Sequence, residues 1–266
     1  ERRLLGFLLL GSDQPPVGGD AAAVEQGVAA VALALANHRV TTEAAWRMQS
    51  ELLVHLLSGQ AKGGEELERE ASALGWSLRG LRVAAVIQLH FQPETGLAER
   101  VELMRQTAEA VAGAFLEKTG EQRVPAGSFE GTVVSFPRAV SLPRGRDGSD
   151  LDREQATGRV ILQALKRTIG VPFSCGIGPP FQGVGKLKYS WSRARLALDI
   201  GRVIHPDREL HVWDEVELFY IASLLADTSA ARELHTRIVK PLADYDDAHQ
   251  ARLLPTLEAL ITAGGN

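Results

Sequence analysis

Cysteine occurs once in this chain of 266 residues, at Cys175, so no internal disulfide can staple the fold and no multi-cysteine zinc site can form. A reducing cytoplasm suits such a chain. Long apolar runs are missing as well. The longest block, Leu4–Leu10, is broken by Gly6 and falls far short of the roughly 20 residues a membrane helix needs, so no membrane partner is expected. An excess of positive charge is also missing. Lys and Arg number 29 against 33 Asp and Glu, and a net charge of −4 supplies no basic field for duplex DNA. By itself the chain is expected to bind nucleic acid poorly. The first residue is Glu1, and no basic stretch precedes the apolar block, as in an internal fragment of a longer protein. What is present, 45% hydrophobic and 23% charged residues, suits a soluble globular protein of about two domains.

Leu4–Leu10, closed by Gly11-Ser12-Asp13, reads as a short buried strand. After a loop with Pro15, Pro16, Gly18 and Gly19, Asp20 is a candidate N-cap. It opens a proline-free stretch reaching Ser58-Gly59, one very long helix or two in tandem. Apolar Val24, Val28, Val31 and Leu35, then Ala45, Leu52 and Leu56, recur at intervals of three, four and seven. A helix this long outruns one domain's core, so its stripe predicts a homodimer seam, with a covering sheet in the same chain as the competing reading. Gln60–Gly64 is a polar break. Glu65–Leu74 is a second helix ending at Gly75, and a domain boundary is expected near Trp76.

Leu81–Leu89 (LRVAAVIQL) is a nearly continuous apolar run, the pattern of a strand covered on both faces. A helix follows at Leu97–Lys118, closed by Gly120. Arg123–Ala126 and Phe129–Phe136 predict a hairpin turning at Gly127-Ser128 and stopped by Pro137. Arg138–Ser149 reads as an exposed loop. Then come a helix at Asp150–Ile169, a strand at Pro172–Ile177, a loop with Pro179 and Pro180, a helix at Gly185–Val203 and a strand at Glu209–Trp213. The order β-α-β-β-α-β-α-β predicts an α+β class, a mainly antiparallel sheet with helices on one face. From Asp214 onward only helices are expected, at Glu215–Ala226, Ser229–Lys240 and Ala248–Ala263.

Local chemistry is scarce. Gly176, Gly178, Gly183 and Gly185 with Lys186 invite a phosphate-loop reading, but Pro180 stands where a glycine is needed and Leu187 where a hydroxyl is needed. A structural strand-loop-helix turn is the better account. Cys175 lies in an apolar strand, where a thiol packs rather than ionises. The seven histidines are scattered, none in a metal-binding i, i+4 pair, and His235 and His249 read as surface or capping residues. Asp244, Asp246 and Asp247 read as a solvated turn at a helix start. No catalytic, metal-ligating or cofactor-binding residue is assigned, and no cofactor is expected.

One segment is more telling. Ser174-Cys175-Gly176-Ile177-Gly178, then Leu187, then Ser190-Trp191-x-x-Ala194-x-x-Ala197-Leu198, resembles the strand-loop-helix of the PucR/CdaR family of bacterial transcription regulators. Trp191 stands where that family usually has Tyr. His249-x-x-x-Leu253-Leu254-x-Thr256-Leu257-x-x-Leu260 resembles the family's approach to its C-terminal helix-turn-helix, and Gly264-Gly265-Asn266 its "GGN". The resemblance implies a degenerate GGDEF-like domain over 77–213, a helical linker over 48–76, and a helical unit over 214–266 leading into a helix-turn-helix that alone would bind DNA. Gly6-Phe7-Leu8-Leu9-Leu10-Gly11-Ser12 and the long helix look like the end of a GAF sensor domain, covering 1–47.

An active GGDEF cyclase would need strand-end carboxylates to hold magnesium over a triphosphate. Here Gln88, His90 and Gln92 stand at that strand's end, and the hairpin offers Ser128-Phe129-Glu130-Gly131-Thr132, with Glu130 as its one acid. The expectation is a non-enzymatic, dimerising regulatory fragment of a PucR/CdaR-like regulator that relays a small-molecule effector signal. The alternative is a divergent nucleotide-binding or cyclase-like enzyme on the same sheet. A ligand-free protein-interaction module is the third reading.

Overall fold

The computed structural model describes residues 18–58, 64–140, 149–226 and 228–262. The strand expected at Leu4–Leu10, most of the 138–149 loop and Gly264-Gly265-Asn266 lie outside the described residues. The proline-free N-terminal stretch is a single helix, α1 (Gly18–Ser58), of 41 residues. Asp20, expected ahead of the helix as its cap, therefore lies within it. Helix α2 (Gly64–Ala73) follows, and the chain turns out of it through Gly75.

A five-stranded sheet forms the centre, in the order β3 (Ala126–Phe129), β4 (Thr132–Ser135), β2 (Ala85–Leu89), β5 (Phe173–Ile177), β7 (Leu210–Val212). Every neighbouring pair is antiparallel except β5 and β7. The run expected as one strand over Leu81–Leu89 is two. β1 (Leu81–Arg82) pairs with β6 (Phe181–Gln182) in a separate ribbon, and β2 begins after a break at Val83-Ala84. The break has a physical cause: Val83 N–H donates to the Pro137 carbonyl at 3.2 Å and Ala84 N–H to Ser190 Oγ at 3.1 Å, which takes both amides out of the ladder.

Helices cover both faces of the sheet, not the single face expected. On one side α3 (Leu97–Thr119) and α4 (Asp150–Thr168) bury Val111, Phe115, Ile161 and Leu165 against Ala85, Ile87 and Cys175. On the other, α1, α2 and α5 (Leu187–Ile204) bury Leu53, Leu57, Leu67 and Leu198 against Ala84, Val86 and Val134. Consecutive residues of a strand point to opposite faces, so a strand with no polar alternation needs two covers. Within 48–76, the helical linker segment, Leu52, Leu56, Ala71 and Trp76 share a core with the sheet.

Packing also explains a misplaced turn. The hairpin turns at Glu130-Gly131, with φ of 47° and 75°, rather than at Gly127-Ser128. Two successive left-handed residues are what a two-residue hairpin loop needs to match strand twist, and glycine takes that conformation without strain. Gly127 lies inside β3, where α1 approaches so closely that a side chain would meet Leu53 and the Ser50 backbone.

After β7 the chain enters α6 (Trp213–Leu225) directly, so Trp213 opens a helix instead of ending a strand. Helix α7 (Ser229–Leu234) runs through a π-helical turn, His235–Val239, into α8 (Lys240–His249). The helix expected at Ala248–Ala263 starts late, as α9 (Leu253–Thr262), because Gln250 adopts a left-handed φ of 50°. Asp244, Asp246 and Asp247 accordingly sit in α8 rather than at the start of α9. Asp246 still serves a helix start, across space: its carboxylate accepts the Leu253 and Leu254 N–H groups at 2.8 and 2.9 Å.

Along α1, Val24, Leu35, Trp46 and Leu57 recur every eleven residues, about three helical turns, and so lie on one line of the helix. Trp46 and Leu57 are buried, whereas Leu35 is 45% exposed and Val24 38%. The line that packs on the sheet thus continues, uncovered by any described residue, toward the N-terminal end of the helix.

Candidate functional site

Where a GGDEF-type enzyme would gather its acids, the exit of β2 and the tip of the β3–β4 hairpin meet at one end of the sheet, since β2 and β4 run antiparallel through Ile87 opposite Val133. At the β2 exit, His90 Nε2 lies 2.9 Å from Ser174 Oγ, and burial, aided by the charge of Arg202, lowers the imidazole pKa. Both causes favour the neutral imidazole, which Ser174 hydrogen-bonds. Gln88 Nε2 donates to the Leu89 carbonyl at 3.1 Å. The loop beyond is closed on itself: Arg100 donates to the carbonyls of Thr95 and Gln92 at 2.9 and 3.5 Å and lies 5.3 Å over the Phe91 ring.

At the hairpin tip the Glu130 carboxylate faces α5, where Arg195 Nη1 lies 3.4 Å away, and Arg195 Nε in turn donates to Asp199 at 3.2 Å. Glu130 is thus engaged by a cation on another element instead of being held free toward the β2 exit. Among the described residues no three His, Cys, Asp or Glu side chains gather as a metal site. Cys175 is fully buried in β5, which pushes its thiol up to about 12, far from a thiolate at neutral pH.

The segment carrying the family resemblance is a packing device. Side chains added at Gly176 or Gly178 would overlap the carbonyl oxygens of Ala194 and Ser190, so the two glycines let α5 lie directly on β5. Ser190, fully buried, ties three pieces together: its Oγ accepts the Ala84 N–H and donates to the Pro179 carbonyl at 2.7 Å. Ala194, Ala197 and Leu198 are the small and apolar residues such an approach requires. Trp191 packs edge-on against Phe129 with ring centroids 5.3 Å apart. His249 is a local contact, its Nδ1 3.1 Å from the Tyr245 carbonyl and its ring stacked on Tyr245.

Three polar features escaped sequence reasoning because each joins residues distant in the chain. Arg82, inside the run read as apolar, is fully buried, 2.8 Å from Glu121, and donates to the Phe136 carbonyl at 2.5 Å. The signal was a lone charge within a buried strand, which demands a partner. Glu154 of α4 is also buried and accepts the Asp214 N–H at 3.2 Å, capping α6; burial first, then the nearby Asp214 and Asp150 charges, pushes its carboxyl up to about 8. Arg193 of α5 sits among the rings of Tyr189, Trp213 and Tyr220 at 5.1, 4.6 and 5.0 Å. Glu154 and Arg193 together clasp α6, the first element of the C-terminal helical unit.

No helix among the described residues is long and apolar enough to cross a membrane. None of the curated proteins compared with the chain matches it. One solved structure that matches is a regulator of polyketide synthase expression from Bifidobacterium adolescentis, 16% identical, with a TM-score of 0.43 over 72% of this chain and 64% of that one. This chain therefore spans less than two thirds of that protein's length. The model of the GGDEF-like domain matches residues 58–200, from the end of α1 through β2, the Glu130-Gly131 hairpin and the α5 seat on Gly176 and Gly178, and with more than half of its length so matched, the chain belongs to the GGDEF-like domain family.

Proposed function

We propose that this chain is the regulatory and dimerising part of a PucR/CdaR-like cytoplasmic transcription regulator, a non-enzymatic member of its family. In this reading residues 1–47 end a GAF-like sensor domain, a small-molecule effector supplies the signal, and the helical unit 214–266 passes it to a helix-turn-helix that contacts DNA. The observation that carries the proposal is the face of α1 around that line, which leaves the sheet still apolar, with Leu35 45% exposed and its flanking Val28 46% and Val31 44%. A helix that packs one end on a regulatory domain and offers the same face beyond it can join two copies about a two-fold axis, as palindromic operators require.

Sedimentation tests this. The chain is expected to run as a dimer at micromolar concentration, and Val31→Glu with Leu35→Glu to weaken the dimer at least about tenfold while leaving a folded monomer, since each charge would be buried in an apolar seam. A wild-type monomer, or an unchanged dimer in the double variant, removes α1 from the assembly. The non-enzymatic half of the proposal rests on Gln88, His90 and Gln92 at the β2 exit and on the engagement of Glu130 by Arg195. Incubation with GTP and magnesium is expected to yield no linear or cyclic dinucleotide, read by chromatography; measurable turnover would instead favour the cyclase-like alternative.

A further inference from the structure

Beside the sheet, α1 and α3 leave a groove of about 400 Å³ between them, in the size range of small-molecule sites. Its lining is mixed: one wall is apolar, with Ala45 and Trp46 from α1, Ala108 and Ala112 from α3, and Trp76 from the turn after α2, and the Glu109 carboxylate and neutral Gln49 and Gln122 stand among the polar groups. Two guanidinium groups also line it, and they differ. Arg105 is committed, paired with Glu109 and, at 2.6 Å, with Glu102. Arg123 is exposed, donates to the Leu74 carbonyl at 3.3 Å, and has no carboxylate partner among the described residues. Its side chain lies across Gly75, where any added side chain would collide with it, so the turn after α2 holds the guanidinium at the groove.

A groove with one apolar, indole-bearing wall, a Glu109 carboxylate already paired with Arg105 and one uncommitted cation is complementary to a small monoanion with a flat or slender apolar body. We propose that this groove binds an aromatic or short aliphatic monocarboxylate, with the carboxylate on Arg123 and the body against Trp46, Ala108 and Ala112. Such a ligand would touch α1 and α3 at once and fasten the helix that carries the dimer stripe. Binding rests on the groove alone; its use as the effector signal rests on the regulatory reading above.

Calorimetry of the 266-residue chain with phenylacetate, naphthylacetate and hexanoate tests it, with tryptophan fluorescence followed in parallel. At least one acid is expected to bind saturably and perturb the emission of Trp46 and Trp76, with its neutral amide at least about tenfold weaker. Arg123→Gln, at an exposed position that leaves the core intact, is expected to erase the preference for acid over amide. Ala112→Phe, which fills the slot, is expected to abolish binding of both. No saturable binding of any of the three acids at millimolar concentration, equal binding of acid and amide, or an unchanged preference in Arg123→Gln overturns the proposal. Binding that follows these expectations while the sedimentation profile stays the same keeps the site and removes its role in signalling.

Discussion

Glu121→Gln is expected to lower the unfolding free energy by about 3–5 kcal/mol, read as a fall in the urea midpoint at unchanged slope. Arg82 is fully buried, and burial works against its charge; Glu121, 2.8 Å away, is the group that offsets that penalty. The Glu121 carboxylate also accepts the Arg138 N–H at 3.0 Å, and Arg82 donates to the Phe136 carbonyl, so the pair bridges β1 to the segment after β4. Neutralising one partner leaves a guanidinium in an apolar surrounding with one hydrogen bond, and Nε and Nη2 find no partner among the described residues. Removing both charges together, as Arg82→Met with Glu121→Leu, is expected to recover most of the loss, because well-packed apolar residues tolerate burial that a lone ion does not. A single variant as stable as the wild type would show that the guanidinium reaches water.

The second large effect is a pH dependence that isolates one residue. The Glu154 carboxyl is pushed up to about 8 in the folded protein from its ordinary 4.5, so between these limits the folded protein holds a proton the unfolded chain has released. Stability from this group is therefore fully present below about pH 4.5, falls as pH rises, and is lost above about pH 8, a decline of up to about 5 kcal/mol. About half of it falls between about pH 6 and pH 8 by the same linkage. Groups around Glu154 are the Asp214 and Asp150 carboxylates, which oppose its ionisation, and the Asp214 and Trp213 amides, which favour it. Glu154→Gln keeps an oxygen for the Asp214 N–H and cannot ionise. The expected result is a melting temperature that drops from pH 6 to pH 9 in the wild type and drops less in the variant, the difference between the two proteins being the measured quantity. Parallel curves would place a charged, solvated carboxylate at that position. Amide exchange in α6 is expected to follow the same profile, since Glu154 caps that helix.

Local pattern carried most of the helices. The Leu97 helix closed by Gly120, the Asp150 helix and the strand at Phe173–Ile177 lie within a residue or two of expectation, because caps, glycines and apolar periodicity act over a few residues. Ser149 shows how local such signals are: it caps α4 in a reciprocal box with Asp152, three residues on. The errors share one origin. The Gly127 turn and the unbroken Leu81–Leu89 strand each failed where a distant element decided the outcome: α1 pressing on Gly127, Ser190 taking the Ala84 amide.

By itself, then, the amino-acid order determined an α+β chain with a long proline-free helix, a mainly antiparallel sheet and a helical C-terminal unit, since composition, periodicity and turn chemistry act through neighbours along the chain. It also placed the non-carboxylate residues Gln88, His90 and Gln92 at a strand end, which needs only their order. Tertiary structure alone decided that helices cover both faces, that Glu130 meets Arg195, that Arg82 finds Glu121, and that Trp46, Trp76 and Arg123 line one groove. The reason is physical: a buried charge or a binding groove is defined by groups brought within a few ångströms from positions far apart in sequence, and the free energy that selects those neighbours comes from the packing of the whole core.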